Sequence, residues 1–555
     1  MKKLGIAKDT FPSDLVAGTV NAVTSIPDAL GSAVLAGLDP IHGLYAIMVG
    51  TPVGALTTGS VFMNVSITGA MALAVGDALV GYSGEELAEA LIVLTILVGI
   101  TALTLGILKL GTLTRFVSNA VMTGFLTGIA VLILLGQLGD LTGTESEFSN
   151  DVVAALDLLL HPAEINLPTL VIGLLTIAVI LLLDRSPARN FSMVIAIFIG
   201  SVVAYILGLD SVELVGDISE IPRSIPMPRL PDLSLVRELF GAAVAIAIIA
   251  LVQGAGVGRN YPNPDGTYPD ASKDFSGQGI ANIASGIFQG MPVGGSLSST
   301  AINVSTGART RWANIMAGII ALVLVLLFAG LIELVAMPCV AALLIVAGWQ
   351  AINFGEIVDV RDTGWMPRLI MVVTFVMTLT LPIQQAVFAG VVLSLLLFIY
   401  QEAMTVRIME LVAQPDGSFL EKEAPGELPN QRVTVLHLYG TTFFGAAYTL
   451  EKQLPSALHS KKAVVILRLR GHDGVASTFI GVLERYVAQL QAGGGRLMLS
   501  GVYSDVWERL LATETTESIP RENIFLEQDI LGASTHKAMQ AAHRLLAGTT
   551  EEQQK

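Results

Sequence analysis

The sequence predicts a polytopic α-helical membrane protein of about fourteen transmembrane segments, arranged as a seven-plus-seven inverted repeat with two half helices, and a small α/β domain behind it. Three observations lead there. The chain of 555 residues is 53% hydrophobic and only 14% charged, and its mean hydropathy of +0.68 lies far above that of a soluble domain. Two short stretches rich in Gly, Ser and Thr interrupt the apolar pattern between spans. After Tyr400 the long apolar runs give way to short strand-like and helical patterns in alternation.

Apolar spans lie at roughly 15–31, 33–56, 67–80, 88–110, 117–137, 167–183, 191–208, 239–257, 277–291, 296–306, 313–332, 335–352, 367–381 and 383–403. The start, Met1-Lys-Lys-Leu-Gly-Ile-Ala-Lys-Asp, reads as a cytoplasmic tail covering 1–13, because the apolar run behind it is long and no cleavage-type site follows. With the N-terminus inside, inner loops carry Lys109 and Arg115, Arg185 and Arg189, Arg259 and Lys273, Arg309 and Arg311, and Arg361 and Arg368, as the positive-inside rule asks. The outer loops Tyr82–Glu89 and Asp140–Asp151 hold no basic residue, whereas Arg223, Arg229 and Arg237 run against the pattern.

The two interrupting stretches carry the chemistry. Gly290-Met-Pro-Val-Gly-Gly-Ser-Leu-Ser-Ser-Thr300 is too polar to face lipid and too irregular for one helix, so it predicts a broken helix restarting near Ser296. Thr57-Thr-Gly-Ser-Val-Phe-Met-Asn-Val-Ser-Ile-Thr-Gly-Ala70 has the same character, and the apolar run after it stops at Asp77, about half of a bilayer crossing. A half helix aims bare N–H groups and a dipole end of about +0.5 charge at the midplane, which makes an anion seat. Re-entrant loops, or small-residue faces where helices pack closely, are the alternative. The letter match of Asn64-Val-Ser66 with Asn303-Val-Ser305 does not put the two helix starts in register and is read as chance.

Composition excludes several classes. A net charge of -15 argues against nucleic acid as a partner, and the single cysteine, Cys339, rules out a disulfide framework or a Cys-based metal site. His42 and His161 stand alone near span ends, so no metal or catalytic cluster is expected and the chain does not read as an enzyme. Residues 406–431 read as a polar linker and 432–547 as an α/β domain, with strands near Val433 to Gly440, Ala463 to Arg470 and Gly493 to Gly501. Helices are expected near Ser477–Gln491, Asp505–Ala512 and Thr535–Leu546, before a tail at 548–555.

The run Asp14-Leu-Val-Ala-Gly18, then Ile26-Pro-Asp-Ala-Leu-Gly-Ser-Ala-Val-Leu-Ala-Gly-Leu-Asp-Pro-Ile-His-Gly-Leu-Tyr45, resembles the opening of the SulP family, the sulfate permease and prestin-type anion transporters. Gly124-Phe-Leu-Thr-Gly128 with Gln137-Leu, Gly295-Ser-Leu-Ser-Ser299 and Thr306-Gly-Ala-Arg-Thr-Arg311 follow in that family's order, and the C-terminal domain resembles its STAS module. The resemblance covers nearly the whole chain. It implies a core part carrying the third and tenth half helices, a gate part, alternating access, and a cytoplasmic STAS domain that helps form a homodimer, in a multi-pass protein of the cytoplasmic membrane. Purine and pyrimidine permeases look similar in the membrane part but lack the STAS domain.

The resemblance also implies a pocket, by matching position to position: Asp28 and Ser32 in the first span, Thr68, Gly69 and Ala70 at the third, Gln253 in the eighth, and Ser298 and Ser299 at the tenth. Several positions depart from the family. Ser299 stands where members often carry Arg, and Gln253 where many coupled members carry an acid. Losing both charges together is coherent, since either alone would be stranded in the membrane at a cost of several kcal/mol. Asp28 stands where members carry Gln. An aspartate at membrane depth costs at least about 2.5 kcal/mol and is a functional candidate, here for a coupling H⁺ or Na⁺; the alternative is a carboxylate in a wet vestibule that tunes the field. Ser32 and Ala70 replace rings of prestin-like members, which implies a wider or wetter site.

In the STAS-like part, Ser477 matches a serine that soluble relatives phosphorylate, but Ala476 and Phe479 break that motif, so Ser477 is read as a helix N-cap. His472 and Asp473 are read as solvated loop residues. The expected function is secondary transport of a small oxyanion, bicarbonate or sulfate foremost, coupled to H⁺ or Na⁺ and without a cofactor. An anion channel or motor, a STAS-linked sensor and a dicarboxylate transporter are the alternatives.

Overall fold

The computed structural model describes residues 10–111, 118–144, 148, 150–209, 211–218, 221, 223–513 and 515–551. Residues 1–9 of the expected tail, Arg115, parts of the 140–151 loop and 552–555 lie outside them. The chain divides into two compact units, Met1–Ser394 and Leu395–Lys555.

All fourteen expected spans are helical. The first half contains α1 (Phe11–Leu35) and α2, which runs Pro40–Tyr45, passes through a π turn at Ala46–Gly50 and continues as Thr51–Thr57. Strand β1 (Asn64–Ser66), α3 (Gly69–Leu79), α4 (Gly84–Ile107), α5 (Asn119–Gly136), α6 (Leu167–Leu183) and α7 (Ser192–Ile206) follow. The second half repeats the series: α8 (Val236–Asn260), α9 (Ala271–Ile287), β2 (Gly294–Ser296), α10 (Leu297–Ser305), α11 (Trp312–Glu333), α12 (Met337–Ala351), α13 (Trp365–Thr380) and α14 (Ile383–Met404). In each half the third helix is short, 11 and 9 residues, and enters from a three-residue strand.

Packing repeats with the sequence. α1 packs on α11 as α8 packs on α4, and α5 packs on α13 as α12 packs on α6. Those exchanged pairs are what a pseudo-two-fold between two inverted halves produces. Helices that hydropathy did not separate from loops also occur, at Asp151–Leu160 and Phe354–Thr363. The first is capped by Asn150, whose side chain accepts from the Val152 and Val153 amides.

The second unit is a six-stranded sheet ordered β4-β3-β5-β6-β7-β8 from β3 (Arg407–Ala413), β4 (Phe419–Glu423), β5 (Val433–Tyr439), β6 (Val464–Arg468), β7 (Arg496–Val502) and β8 (Ile524–Leu526). The last four run parallel. Helices at Ala447–Gln453, Ser477–Ala492 and Ser504–Ala512 are joined by Leu436, Leu467 and Leu499 in one core, and the helix Ala533–Glu551 covers the other face through Val435, Ile466 and Met498. The stretch 406–431 holds the β3–β4 hairpin, closed by an Asp416-Gly417 turn in which Gly417 has φ +86°.

Two expectations fail here. The cap of the helix at Ser477 is Ala476, in extended backbone, and Ser477 makes no capping bond, because the Ala476 amide is drawn to the Thr442 carbonyl and the helix starts there. His472 is not solvated: it is buried, with Nε2 3.1 Å from the Leu438 carbonyl, while Asp473 is exposed.

Candidate functional site: two half helices across a ribbon

β1 and β2 pair antiparallel, Asn64 opposite Ser296, Val65 opposite Gly295 and Ser66 opposite Gly294. The strands run in opposite senses, so α3 and α10 leave the ribbon at opposite ends with their N-termini turned toward each other. Thr68 caps α3, accepting from the Met71 amide at 3.4 Å, and Ser296 caps α10, accepting from the Ser299 amide at 3.2 Å. The remaining amides of each first turn have no partner in their own helix, and the dipoles add positive potential from both sides.

Irregular backbone at this depth survives only if its polar groups are satisfied. Side-chain amides do it. Asn282 donates to the Val293 carbonyl at 2.7 Å and accepts from its amide at 2.8 Å, and Gln278 accepts from Gly295 N at 3.2 Å. The Asn64 amide donates to Thr300 Oγ1 at 3.0 Å. The ribbon also passes close against α8: a Cβ on Gly295 would stand 2.7 Å from the Cα of Gly254.

Each expected site residue has a place. Thr68 Oγ1 donates to Gln253 Oε1 at 2.9 Å, which joins the third and eighth spans directly. Ser298 and Ser299 both reach Ser296 Oγ, at 3.2 and 3.1 Å. Gly69 and Ala70 form the first turn of α3, where a Cβ on Gly69 would meet Ile133 Cδ1 of α5 at 2.5 Å. Ser298 is exposed and Ser299 buried. Helix α9 ends at Ile287 and α10 begins at Leu297, so the helix that holds Ser299 is not continuous with the ninth span.

On α1, Asn21, Ser25, Asp28 and Ser32 are spaced four, three and four apart and share one face. Sequence reasoning missed Asn21, although this spacing could have found it. Asn21 is fully buried and its Nδ2 donates to the Ser299 carbonyl at 3.4 Å, while its Oδ1 accepts from Ser25 at 3.2 Å. α1 packs against both α3 and α10. Asp28, half-buried, makes no hydrogen bond to any described residue, and Pro27 before it removes one rung of the helix ladder. Ser32 is buried and its hydroxyl has no partner among the described residues. No hydrogen bond joins Asp28 or Ser32 to Thr68, Gln253, Ser298 or Ser299.

Gln253 also lines a narrow cavity where α8 faces α5, α13 and α14, with room for little more than one water molecule. Its lining includes Val121, Phe125, Ile249, Val252, Val391 and Thr374, whose buried hydroxyl has no partner among the described residues. Among the described residues no Lys or Arg side chain bonds to any of these groups. An anion between the two helix ends would meet amide N–H groups, hydroxyls and one carboxamide, all neutral.

The motif at Thr306–Arg311 is structural. Asp14 Oδ1 accepts from the amides of Arg309 and Thr310 at 2.8 and 3.0 Å, and the Arg311 guanidinium donates to the carbonyls of Ala55 and Thr58 at the end of α2. His42 holds the Gln289 carbonyl at 2.7 Å and His161 pairs with Asp157, and no three metal-ligating side chains gather among the described residues.

Residues 11–374 match the model of the Sulfate permease family and residues 429–529 that of the STAS domain. The chain is 30% identical over 550 residues to "Probable sulfate transporter 4.2" of Arabidopsis thaliana, covering 93% of this chain and 80% of that protein. It is 27% identical to pendrin of Homo sapiens over 61% of this chain and 48% of that one. The fold is similar to the murine Solute Carrier 26 family member A9 anion transporter, with TM-score 0.84 at 17% identity over 97% and 92% of the two chains. It is also similar to the transmembrane domain of a cyanobacterium bicarbonate transporter, BicA, with TM-score 0.60 at 21% identity over 70% and 98%. The chain therefore belongs to the sulfate permease family, whose members are multi-pass membrane transporters rather than enzymes, and carries that family's STAS domain.

Proposed function

We propose that this protein is a secondary active transporter of a small oxyanion, sulfate or bicarbonate, working by alternating access in the cytoplasmic membrane with both termini inside. The observation that carries the reading is the β1–β2 ribbon, which sets the capped N-termini of α3 and α10 toward each other beside Gln253. Two neutral helix ends bind an oxyanion without a fixed cation, so the seat can release its charge on the far side. Relatives named as sulfate transporters support sulfate, and the fold shared with BicA supports bicarbonate.

Asp28 is the coupling residue in this reading. It stands on the face of α1 that carries Asn21, has no hydrogen-bond partner among the described residues, and supplies a carboxylate to that stripe, where H⁺ or Na⁺ can meet it. The STAS domain contributes to a homodimer. Purified protein in liposomes, given labelled sulfate and bicarbonate across imposed Na⁺ and pH gradients, tests the proposal. Gradient-driven accumulation of either anion supports it; leak that only follows the anion's own gradient in every condition defeats the coupled reading.

A further inference from the structure

Three asparagines meet behind the ribbon. Asn64 on β1, Asn303 on α10 and Asn314 on α11 are 1%, 0% and 0% exposed. Asn314 Oδ1 accepts from Asn64 Nδ2 and from Asn303 Nδ2, each at 3.0 Å. Its Nδ2 donates to the carbonyls of Phe62 at 3.2 Å and Met63 at 3.0 Å, and Asn303 Nδ2 also reaches the Phe62 carbonyl at 3.3 Å.

One side chain on a full-length helix thus grips both entrances: the strand that leads into α3, and the flank of α10. A small apolar residue would pack α11 at this point with no buried amide to satisfy. The amide adds ties that join the two inverted halves, from the 64 position to the 314 position, and none of its atoms belongs to the first turns that face the anion. The field between two helix ends, and the hydrogen bonds they offer, depend on separation and aim at the scale of about 0.5 Å.

We propose that Asn314 is a positioning residue for anion binding: through Asn64 and Asn303 it holds the N-termini of α3 and α10 at the spacing one oxyanion bridges, so that both half helices travel as one body. This rests on the reading of those helix ends as the anion seat. The asparagine cluster does not contact the anion.

The test compares full-length N64A, N303A, N314A, N314D and the double variants N64A/N314A and N303A/N314A in liposomes, with labelled sulfate and bicarbonate. Because the three amides form one unit, each single alanine raises KM about tenfold with Vmax per folded molecule kept, and each double variant is no worse than N314A. N314D keeps an oxygen for both partner amides but sets its other oxygen against the Phe62 and Met63 carbonyls, so its rise is no smaller than that of N314A. Effects that multiply in the double variants, or an unchanged KM, overturn the proposal. Hydrogen exchange supplies a readout independent of transport: with the tie cut, amides of residues 64–66 and 294–299 exchange faster while those of α4 do not. Unchanged exchange there also overturns the positioning role. Faster exchange in a protein whose wild type carries neither anion supports the tie and sinks the anion-seat reading instead.

Discussion

Thr68 Oγ1 donates to Gln253 Oε1 over 2.9 Å, joining the cap of α3 to the middle of α8 across 185 residues of sequence. The same oxygen accepts from the Met71 amide. Its single proton is given to Gln253, so the carboxamide turns Oε1 toward Thr68 and leaves Nε2, bonded to no described residue, as a donor. The eighth span thus presents a neutral N–H beside the cap of α3.

Removing the hydroxyl frees that carboxamide to turn. Thr68→Val should raise the KM for the transported anion by about two- to tenfold, the range of one net hydrogen bond, with Thr68→Ser close to wild type. Uptake against concentration in liposomes measures it; a Val variant with wild-type KM would show that the orientation of Gln253 is set elsewhere.

Asp28→Asn keeps the size of the side chain and removes its charge. If Asp28 exchanges the coupling ion, the variant should still exchange anions across the membrane but lose accumulation driven by a Na⁺ or pH gradient. Counterflow and gradient-driven uptake, measured side by side, separate the two; retained concentrative uptake would assign coupling to another group.

The close pass of β2 over α8 predicts opposite results at two glycines. Gly295→Ala puts a methyl 2.7 Å from Gly254 Cα and 3.2 Å from Met63 Sδ, and should destabilise the membrane unit by about 1–3 kcal/mol. Gly256→Ala, two residues along α8, meets nothing nearer than Leu297 Cδ1 at 4.0 Å and should be tolerated. Thermal unfolding in detergent compares them directly; equal melting points would mean that the ribbon can shift to make room.

In the second unit, burial and then the Arg468 guanidinium beside it lower the pKa of His437 from 6.5 to about 4. A histidine held neutral in the folded state contributes its full stability above pH 6.5, and that contribution is lost as the pH falls toward 4, up to about 3 kcal/mol in all. Hydrogen exchange of β5 and β6 in the full-length protein should therefore speed up between those pH values. His437→Leu should flatten the response; a slope that survives it would point to another titrating group.

Asn303 and Asn314 show where sequence reading stops. The sequence by itself determined the spans, the two abbreviated helices, a restart near Ser296, and the α/β domain, because hydropathy and Gly-Pro breaks act over a few neighbouring residues; the cap at Thr68 came from the structure. The resemblance to the SulP family, and not the sequence alone, marked Ser299 and Gln253 as positions without an expected charge. Only the tertiary structure decided that β1 pairs with β2, that Thr68 meets Gln253, that Asn21 reaches the Ser299 carbonyl, and that three asparagines close the back of the ribbon. The same holds for the burial of His472 and the β3–β4 hairpin. Those contacts pair atoms up to 278 positions apart, and a buried amide declares nothing in the sequence about which distant carbonyl will satisfy it; that is settled only when two inverted halves pack and each polar group at membrane depth must find a partner.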